Sequence, residues 1–326
     1  MLKSRRLGEL TVSGLGLGCM GMTPIYGRPD PAAAAETLHK AAELGVSLID
    51  TSDAYGHGEN ERLVGAAIRG MRESFVISSK FGNIRRPDGS PSVNGHPDYV
   101  GPACRASLQR LQVEVIDLYF VHRIDPTVPI EDTVGAMVRL IEQGLIRCIG
   151  LSEASAATLR RANALHPVTA LQTEYSLWTR DVENEILPTC DELGIGFVAY
   201  APLGRGFLTG SVAAEADLAP DDIRRQMPRF QGDNLRRNRD LVARLQHFAA
   251  GLGCTPAQLA IAWVLARGES IVPIAGTTRP ERLAENVGAL DIVIPASVMH
   301  ELDGAFPADA AAGVRTIPVL LARLGI

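Results

Sequence analysis

Asp50, Tyr55, Lys80 and His122 supply a carboxylate, a phenol, an ammonium and an imidazole, each where a short apolar run gives way to a glycine-rich or charged loop. The runs LIDTSDAY, FVISSKF and DLYFVH read as three successive strands that end in polar chemistry. A phenol has an ordinary pKa of about 10 and needs a nearby cation to release its proton near neutrality. A Tyr, a Lys, a carboxylate and a His gathered at strand ends therefore make a proton-donating site of the kind that reduces a carbonyl. Taken singly, each has a plain structural use: Asp50 as a strand-end cap, Tyr55 as a rim aromatic, Lys80 as a snorkelling surface residue, His122 as a satisfied core histidine. A common position at the ends of neighbouring strands is what independent structural roles do not supply.

The elements that would bring them together alternate along the chain. After a short N-terminal stretch that reads as a hairpin turning at Gly8 (RRLGELTVSGL), eight strand candidates follow: GLGLGC, VSLIDTS, FVISSKF, VIDLYFVH, IRCIGLS, TALQTEYS, IGFVAYAPL and SIVPIAGT. Between them PAAAAETLHKAAELG, ENERLVGAAIRG, YVGPACRASLQRL, EDTVGAMVRLIEQG, ASAATLRRANAL, DVENEILPTCDELG, NRDLVARLQHFAAGLG and TPAQLAIAWVLARG carry apolar residues at helical spacing. Strands with little apolar/polar alternation, each followed by a helix, indicate a parallel sheet buried on both faces. Eight such units predict an α/β fold of the (β/α)8 TIM-barrel type, a single domain over residues 1–326 with the N-terminal β-hairpin added. All strand C-termini then meet on one face, which is where the four residues lie. A long loop after the seventh strand, Gly206 to about Asn238, reads as a cover for that face or a flexible excursion. The apolar tail after Pro307 reads as packing on the barrel or, at its LARL segment, as a surface for a partner chain.

Composition narrows the partners. A net charge of −5 without a basic block lacks the footprint of a nucleic-acid binder and points to a small molecule. Cys19, Cys104, Cys148, Cys190 and Cys254 stand singly, against a disulfide framework or a zinc cage. The charged start MLKSRRLGELTV and the lack of a long apolar run predict a cytoplasmic protein with no membrane span. Only three of the 32 basic residues are lysines, so Lys80 inside an apolar strand stands out. Gly16, Gly18 and Gly21 spell the GxGxxG of a dinucleotide-binding Rossmann turn, but Pro24, Gly27, Pro29 and Pro31 postpone the helix that motif requires. The seven histidines are isolated from one another, against a barrel metal hydrolase.

LIDTSDAYGHGENERLVG, VISSKFG, IDLYFVHRID, GLIRCIGLSEAS, LQTEYSLW, VAYAPLGRGFLTG and IAGTTRPERLAENVGAL together resemble the aldo-keto reductases, in that family's order and spacing from about Asp50 to Leu290. The wording of HRID, QTEYSLW and PLGRGFLTG is most similar to the NADPH-dependent aldehyde reductase branch, with pyridoxal reductase-like and auxin-induced-protein-like members. The resemblance implies reduction of aldehydes, with ketones as a second class, by an NADP-dependent alcohol dehydrogenase type of reaction. It implies Tyr55 as general acid, Lys80 stabilising the phenolate, Asp50 keeping Lys80 charged and aimed, and His122 orienting the carbonyl, with no metal.

For the cofactor NADPH/NADP+ the resemblance implies Gly18, Cys19 and Met20 after the first strand. Ser152, Glu153 and Gln172 would face the nicotinamide carboxamide, and Tyr200 would stack on its ring. Where the family usually has Asn after that Ser, this chain has Glu153, which accepts but cannot donate. Pro202, Leu203, Gly204, Arg205, Gly206 and Leu208 would lie on the pyrophosphate, and Gly276, Thr277, Thr278, Arg279, Arg282, Glu285 and Asn286 on the adenosine half. A bidentate Arg282 suits a 2′-phosphate. Met22, Tyr26, Trp178, Arg229 and Phe230 are expected to rim the substrate, Arg229 as a contact for a carboxylate, a phosphate or the cofactor. The expected partner is a small aldehyde or ketone, without nucleic acid or membrane, the chain acting as a monomer or weak homo-oligomer. A redox-sensing binding module like the channel β-subunits that share these motifs is the alternative, and turnover separates the two.

Overall fold

The eight apolar runs pair side by side, all parallel, and close on themselves. A computed structural model describes residues 2–86, 88–321 and 323–325. The barrel strands are β3 (Gly16–Gly18), β4 (Leu48–Asp50), β5 (Val76–Phe81), β8 (Ile116–Val121), β9 (Ile146–Ser152), β10 (Ala170–Glu174), β11 (Gly196–Tyr200) and β12 (Ile271–Gly276), with β12 bonded back to β3. The predicted α/β class and TIM-barrel topology are what the structure has. The N-terminal hairpin of β1 (Ser4–Leu7) and β2 (Leu10–Ser13) turns at Gly8 as expected. Its Leu7 and Val12 pack with Leu48, Leu118, Cys148, Ala170, Val198 and Val272, closing the strands' N-terminal end with apolar side chains. Midway up, Gly150 is required by close approach: a Cβ there would lie 2.4 Å from the Phe120 ring that fills the barrel.

The outer layer is α1 (Pro31–Leu44), α2 (Glu59–Ala67), α3 (Pro97–Leu111), α4 (Ile130–Glu142), α5 (Ala156–Leu165), α6 (Ile186–Leu193), α7 (Gly232–Gly251), α8 (Pro256–Leu265) and α9 (Pro280–Val287). α1 shows the local logic. Asp30 accepts from the Ala32 N–H at 2.9 Å, Pro31 takes the first position, and Gly45 ends the helix at φ 77°. Gly144 and Gly194 adopt the same left-handed geometry before β9 and β11, so the helix–Gly–strand pattern in the sequence is real.

Two segments differ from expectation. DVENEILPTCDELG divides into a short 3-10 turn, Asp181–Glu183, and α6, because Glu185 leaves helical geometry and Pro188 sits where a first turn tolerates it. The long loop is shorter than Gly206–Asn238: α7 begins at Gly232 and Asn238 lies inside it. Its opening residues Gly232, Asp233 and Asn234 are poor helix formers, which hid the start, while Asp233 in the first turn favours the helix dipole. The remainder is ordered into 3-10 turns at Phe207–Thr209, Glu215–Asp217, Ile223–Gln226 and Pro228–Phe230, docked on the loop after β3 through Ile223 N–H to Ile25 O at 3.1 Å.

Beyond the barrel, a hairpin of β6 (Asn83–Arg85) and β7 (Pro91–Val93) follows Lys80 on the face where the strands end. Two helices not anticipated, α10 (Ala296–Ala305) and α11 (Pro318–Leu321), frame the tail. The tail packs on the barrel, as one of the two expectations had it; of LARL, Ala322 lies outside the described residues. No single helix among the described residues is long and apolar enough to cross a membrane.

Candidate active site

Asp50 ends β4, Lys80 lies in β5, His122 follows β8, and Tyr55 opens the 3-10 turn Tyr55–Gly58. The four do converge. Lys80 is 0 % exposed, and its three ammonium protons meet three acceptors: Asp50 Oδ1 at 2.5 Å, the Thr51 carbonyl at 2.7 Å and the Tyr55 phenol oxygen at 3.2 Å. Because the phenol oxygen accepts from Lys80, its own proton points elsewhere and is free to be given away. Asp50 Oδ2 accepts from the Ser78 hydroxyl at 2.6 Å and from Gln172 Nε2 at 2.8 Å, so the carboxylate is fixed from the neighbouring strand β5 and from β10 across the barrel. The His122 ring meets the Tyr55 ring edge-on, centroids 5.7 Å apart.

The electrostatics correct one expectation. Burial raises the Tyr55 pKa, and the Lys80 charge pulls it down without winning, so the phenol stays protonated well past neutrality. Tyr55 is thus a loaded acid, and Lys80 matters for the phenolate that forms after the proton leaves. Burial disfavours the Lys80 ammonium, but Asp50 and Tyr55 together outweigh it and raise its pKa. Burial first, then the Arg123 and Lys80 charges, push His122 well below its ordinary range, so the imidazole is neutral.

The residues expected at a nicotinamide sit on adjacent strands. Ser152 ends β9, Gln172 lies in β10 and Tyr200 ends β11, with Gln172 paired to Ser152 in the strand register. Gln172 spends its NH2 on Asp50, which leaves its carbonyl oxygen as an acceptor. Ser152 Oγ receives Arg123 Nη1 at 3.1 Å. Glu153 departs from a simple carboxamide contact. It is 2 % exposed at φ 54°, and its carboxylate already accepts from the Glu174 N–H, the Tyr200 hydroxyl and both arms of Arg315. Gly18 pairs in register with Gly276 at the top of the seam between β3 and β12, where no side chain intrudes; the Cys19 N–H beside it donates to the Asp50 carbonyl at 2.8 Å, and half-buried Met20 begins a 3-10 turn.

Ala201 to Leu208 form a tight turn in which Ala201, Gly204, Arg205 and Gly206 take positive φ. A Cβ on Gly204 would lie 2.6 Å from Trp178, so only glycine fits. The expected run of amides is reduced by the turn itself: Gly204, Gly206 and Leu208 donate to Ala201 O, Leu203 O and Leu203 O, and Pro202 has none to give. Thr277, Thr278 and Arg279 lead into α9, which starts without a side-chain cap and with Pro280 first; Arg279 and Arg282 are exposed there. An uncapped helix N-terminus beside two guanidiniums suits a phosphate. Glu285 is half-buried and Asn286 buried on the same helix.

The substrate rim is the least faithful part of the sequence reading. Tyr26 is half-buried and accepts from Arg205 Nη1 at 3.1 Å, while the Arg224 guanidinium lies 4.8 Å from its ring. Trp178, Phe207 and Phe230 instead pack on one another, Trp178 and Phe207 stacked at 4.8 Å, and Met22 is buried with the core. Arg229 is not offered to a ligand. It is 8 % exposed, donates to Thr179 Oγ1 at 2.6 Å and to Gly313 O at 3.2 Å, and lies 3.8 Å from Glu174. A buried guanidinium needs internal acceptors, and this chain supplies them.

Sequence reasoning missed Ser52, Ser78, Arg123, Glu174 and Arg315. Ser78 was discoverable, two residues before Lys80 and thus on the same face of its strand. Ser52, 3.0 Å from His122 Nδ1, could be suspected only once β4 and β8 are placed together.

The arrangement as a whole has known counterparts. The model of the Aldo/keto reductase family matches residues 14–306. The glycerol dehydrogenase of Gluconobacter oxydans is 25 % identical with a TM-score of 0.85, over 95 % of this chain and 97 % of that one. An aldo-keto reductase of Bacillus halodurans, solved in its holo form, is 28 % identical with a TM-score of 0.76, over 94 % and 97 % of the two chains. One from Klebsiella pneumoniae, solved with NADP and acetate, is 27 % identical with a TM-score of 0.73, over 97 % and 99 %.

Proposed function

Because the chain belongs to the aldo/keto reductase family, we propose that it is an NADPH-dependent oxidoreductase that reduces small aldehydes or ketones to alcohols, one domain over residues 1–326, of the pyridoxal reductase-like and auxin-induced-protein-like branch. The observation that carries the reading is Lys80, whose three donors are shared among Asp50, Thr51 O and the Tyr55 oxygen beside a neutral His122. Relatives solved with NADP and NADPH support the cofactor.

The residues present fit that cofactor. Acceptors and donors for a carboxamide stand together at Ser152, Glu153 and Gln172, a side-chain-free seam at Gly18 and Gly276 opens beside them, and the uncapped start of α9 offers a phosphate site with Arg279 and Arg282. When bound, NADPH supplies the hydride. Tyr55 gives its proton to the carbonyl oxygen, and Lys80, held charged by Asp50, stabilises the phenolate left behind. Each pKa unit of that stabilisation is about 1.4 kcal/mol. His122 adds a second, neutral donor to the developing alkoxide.

Turnover tests the reading: NADPH consumption with a panel of aldehydes, wild type beside Tyr55→Phe, which keeps the ring and removes only the acid. The expected loss is on the order of 10²–10⁴ in rate, with NADPH binding retained. Equal rates would discard Tyr55 as the acid. Tight NADPH binding with no turnover in either protein would move the assignment to a redox-sensing module.

A further inference from the structure

The C-terminal segment crosses the barrel face on which the strands end and is fastened at the site itself. Asn238 of α7 holds it by two hydrogen bonds, to Ala312 O at 3.0 Å and from Ala312 N–H at 2.8 Å. Arg315 then reaches Glu153 with a fork, Nη1 to Oε1 at 3.2 Å and Nη2 to Oε2 at 2.7 Å. Further on, the Gly325 N–H donates to the Glu153 carbonyl at 2.9 Å, and Arg323 to Pro91 O at 2.7 Å. One residue of the candidate nicotinamide site is thus gripped by the tail through both side chain and backbone.

The contacts of Glu153 are unequal. Oε1 accepts from the Glu174 N–H, the Tyr200 hydroxyl and Arg315, whereas Oε2 accepts from Arg315 alone. Oε1 takes three donors and Oε2 only one, so Oε2 is the oxygen with room for a further donor. The two-armed guanidinium contact fixes the plane and direction of the carboxylate.

We propose that Arg315 is a positioning residue that acts through Glu153, holding its carboxylate aimed so that Oε2 accepts the NH2 of the nicotinamide carboxamide. The inference rests on the cofactor assignment above. It makes the C-terminal segment part of the cofactor site and gives the buried Glu153 a use there. A carboxylate oxygen accepts from NH2 and has nothing to donate to a carbonyl oxygen, which fixes one of the two orientations of the carboxamide.

The test compares NADP+ with its 3-acetylpyridine analogue, in which a methyl ketone replaces the carboxamide and no NH2 remains. Dissociation constants are measured by tryptophan fluorescence for wild type and Arg315→Gln. The expected result is a loss of at least fivefold for NADP+ and of less than twofold for the analogue. Equal losses for both would make Arg315 a purely structural clamp, and no loss for either would remove it from the site; each overturns the proposal. Arg315→Lys keeps the charge and loses the fork, so if Arg315→Gln does not fold, a selective intermediate loss for NADP+ is expected, and an equal or absent change again overturns it. A wild type that binds neither dinucleotide would instead overturn the cofactor assignment itself.

Discussion

The Ser52 hydroxyl lies 3.0 Å from Nδ1 of His122, with both side chains buried. Ser52 Oγ already accepts from the Ala54 N–H at 3.1 Å, and the imidazole is neutral, pushed there by burial and by the Arg123 and Lys80 charges. A hydroxyl proton given to Nδ1 leaves the ring's single proton on Nε2, the nitrogen that can donate to a carbonyl oxygen. Losing a hydrogen bond of about 1 to 1.5 kcal/mol at this point corresponds to roughly a tenfold change in rate. Ser52→Ala is therefore expected to lower kcat about tenfold while leaving NADPH binding unchanged. Unaltered kcat would show that the tautomer is set elsewhere.

Lys80 and Asp50 form a buried ion pair, 0 % and 2 % exposed. Removing one partner strands the other charge in the interior, at a cost of about 3 to 5 kcal/mol. Lys80→Met should lose that much in denaturant unfolding, and the double change Asp50→Asn/Lys80→Met should recover at least half of it while remaining inactive. A double variant no more stable than the single one would show that packing, not the stranded carboxylate, sets the cost.

Asp53 gives stability a pH dependence. Burial first, then the charge of Glu61, raise its carboxyl from 3.8 to about 7 in the fold. The folded state therefore holds a proton that the unfolded chain has released, and stability falls as pH rises from about 4 to about 7, then levels. The side chain is only partly buried, so the effect is discounted to about 1 to 2 kcal/mol. Relative to wild type, Asp53→Asn should gain that amount between pH 4.5 and pH 8, read from urea midpoints. A constant difference across the range would place the Asp53 carboxyl at its ordinary value.

Arg282 is exposed at the uncapped start of α9. A guanidinium there is suited to the 2′-phosphate that distinguishes NADPH from NADH. Arg282→Ala is expected to raise the Michaelis constant for NADPH about tenfold or more, with the constant for NADH nearly unmoved, since one lost charge-assisted bidentate contact is worth roughly that factor. Equal shifts for both nucleotides would take Arg282 off the 2′-phosphate.

The chain's local chemistry already determined the barrel and the acid site. Runs such as GFVAY and IVPIAG are apolar on both faces, the helices between them end at Gly45, Gly144 and Gly194, and Asp50, Lys80 and His122 stand at strand ends, where a parallel barrel has no choice but to bring them together. Tertiary structure alone decided which polar groups are free. Arg229 and Arg315 look alike in the sequence, yet the first is consumed by Thr179, Gly313 and Glu174, and the second reaches Glu153 across 162 positions of chain. The Tyr55 pKa was misjudged for the same reason: spacing reveals the neighbouring cation, whereas burial, the larger influence, exists only once the chain has packed.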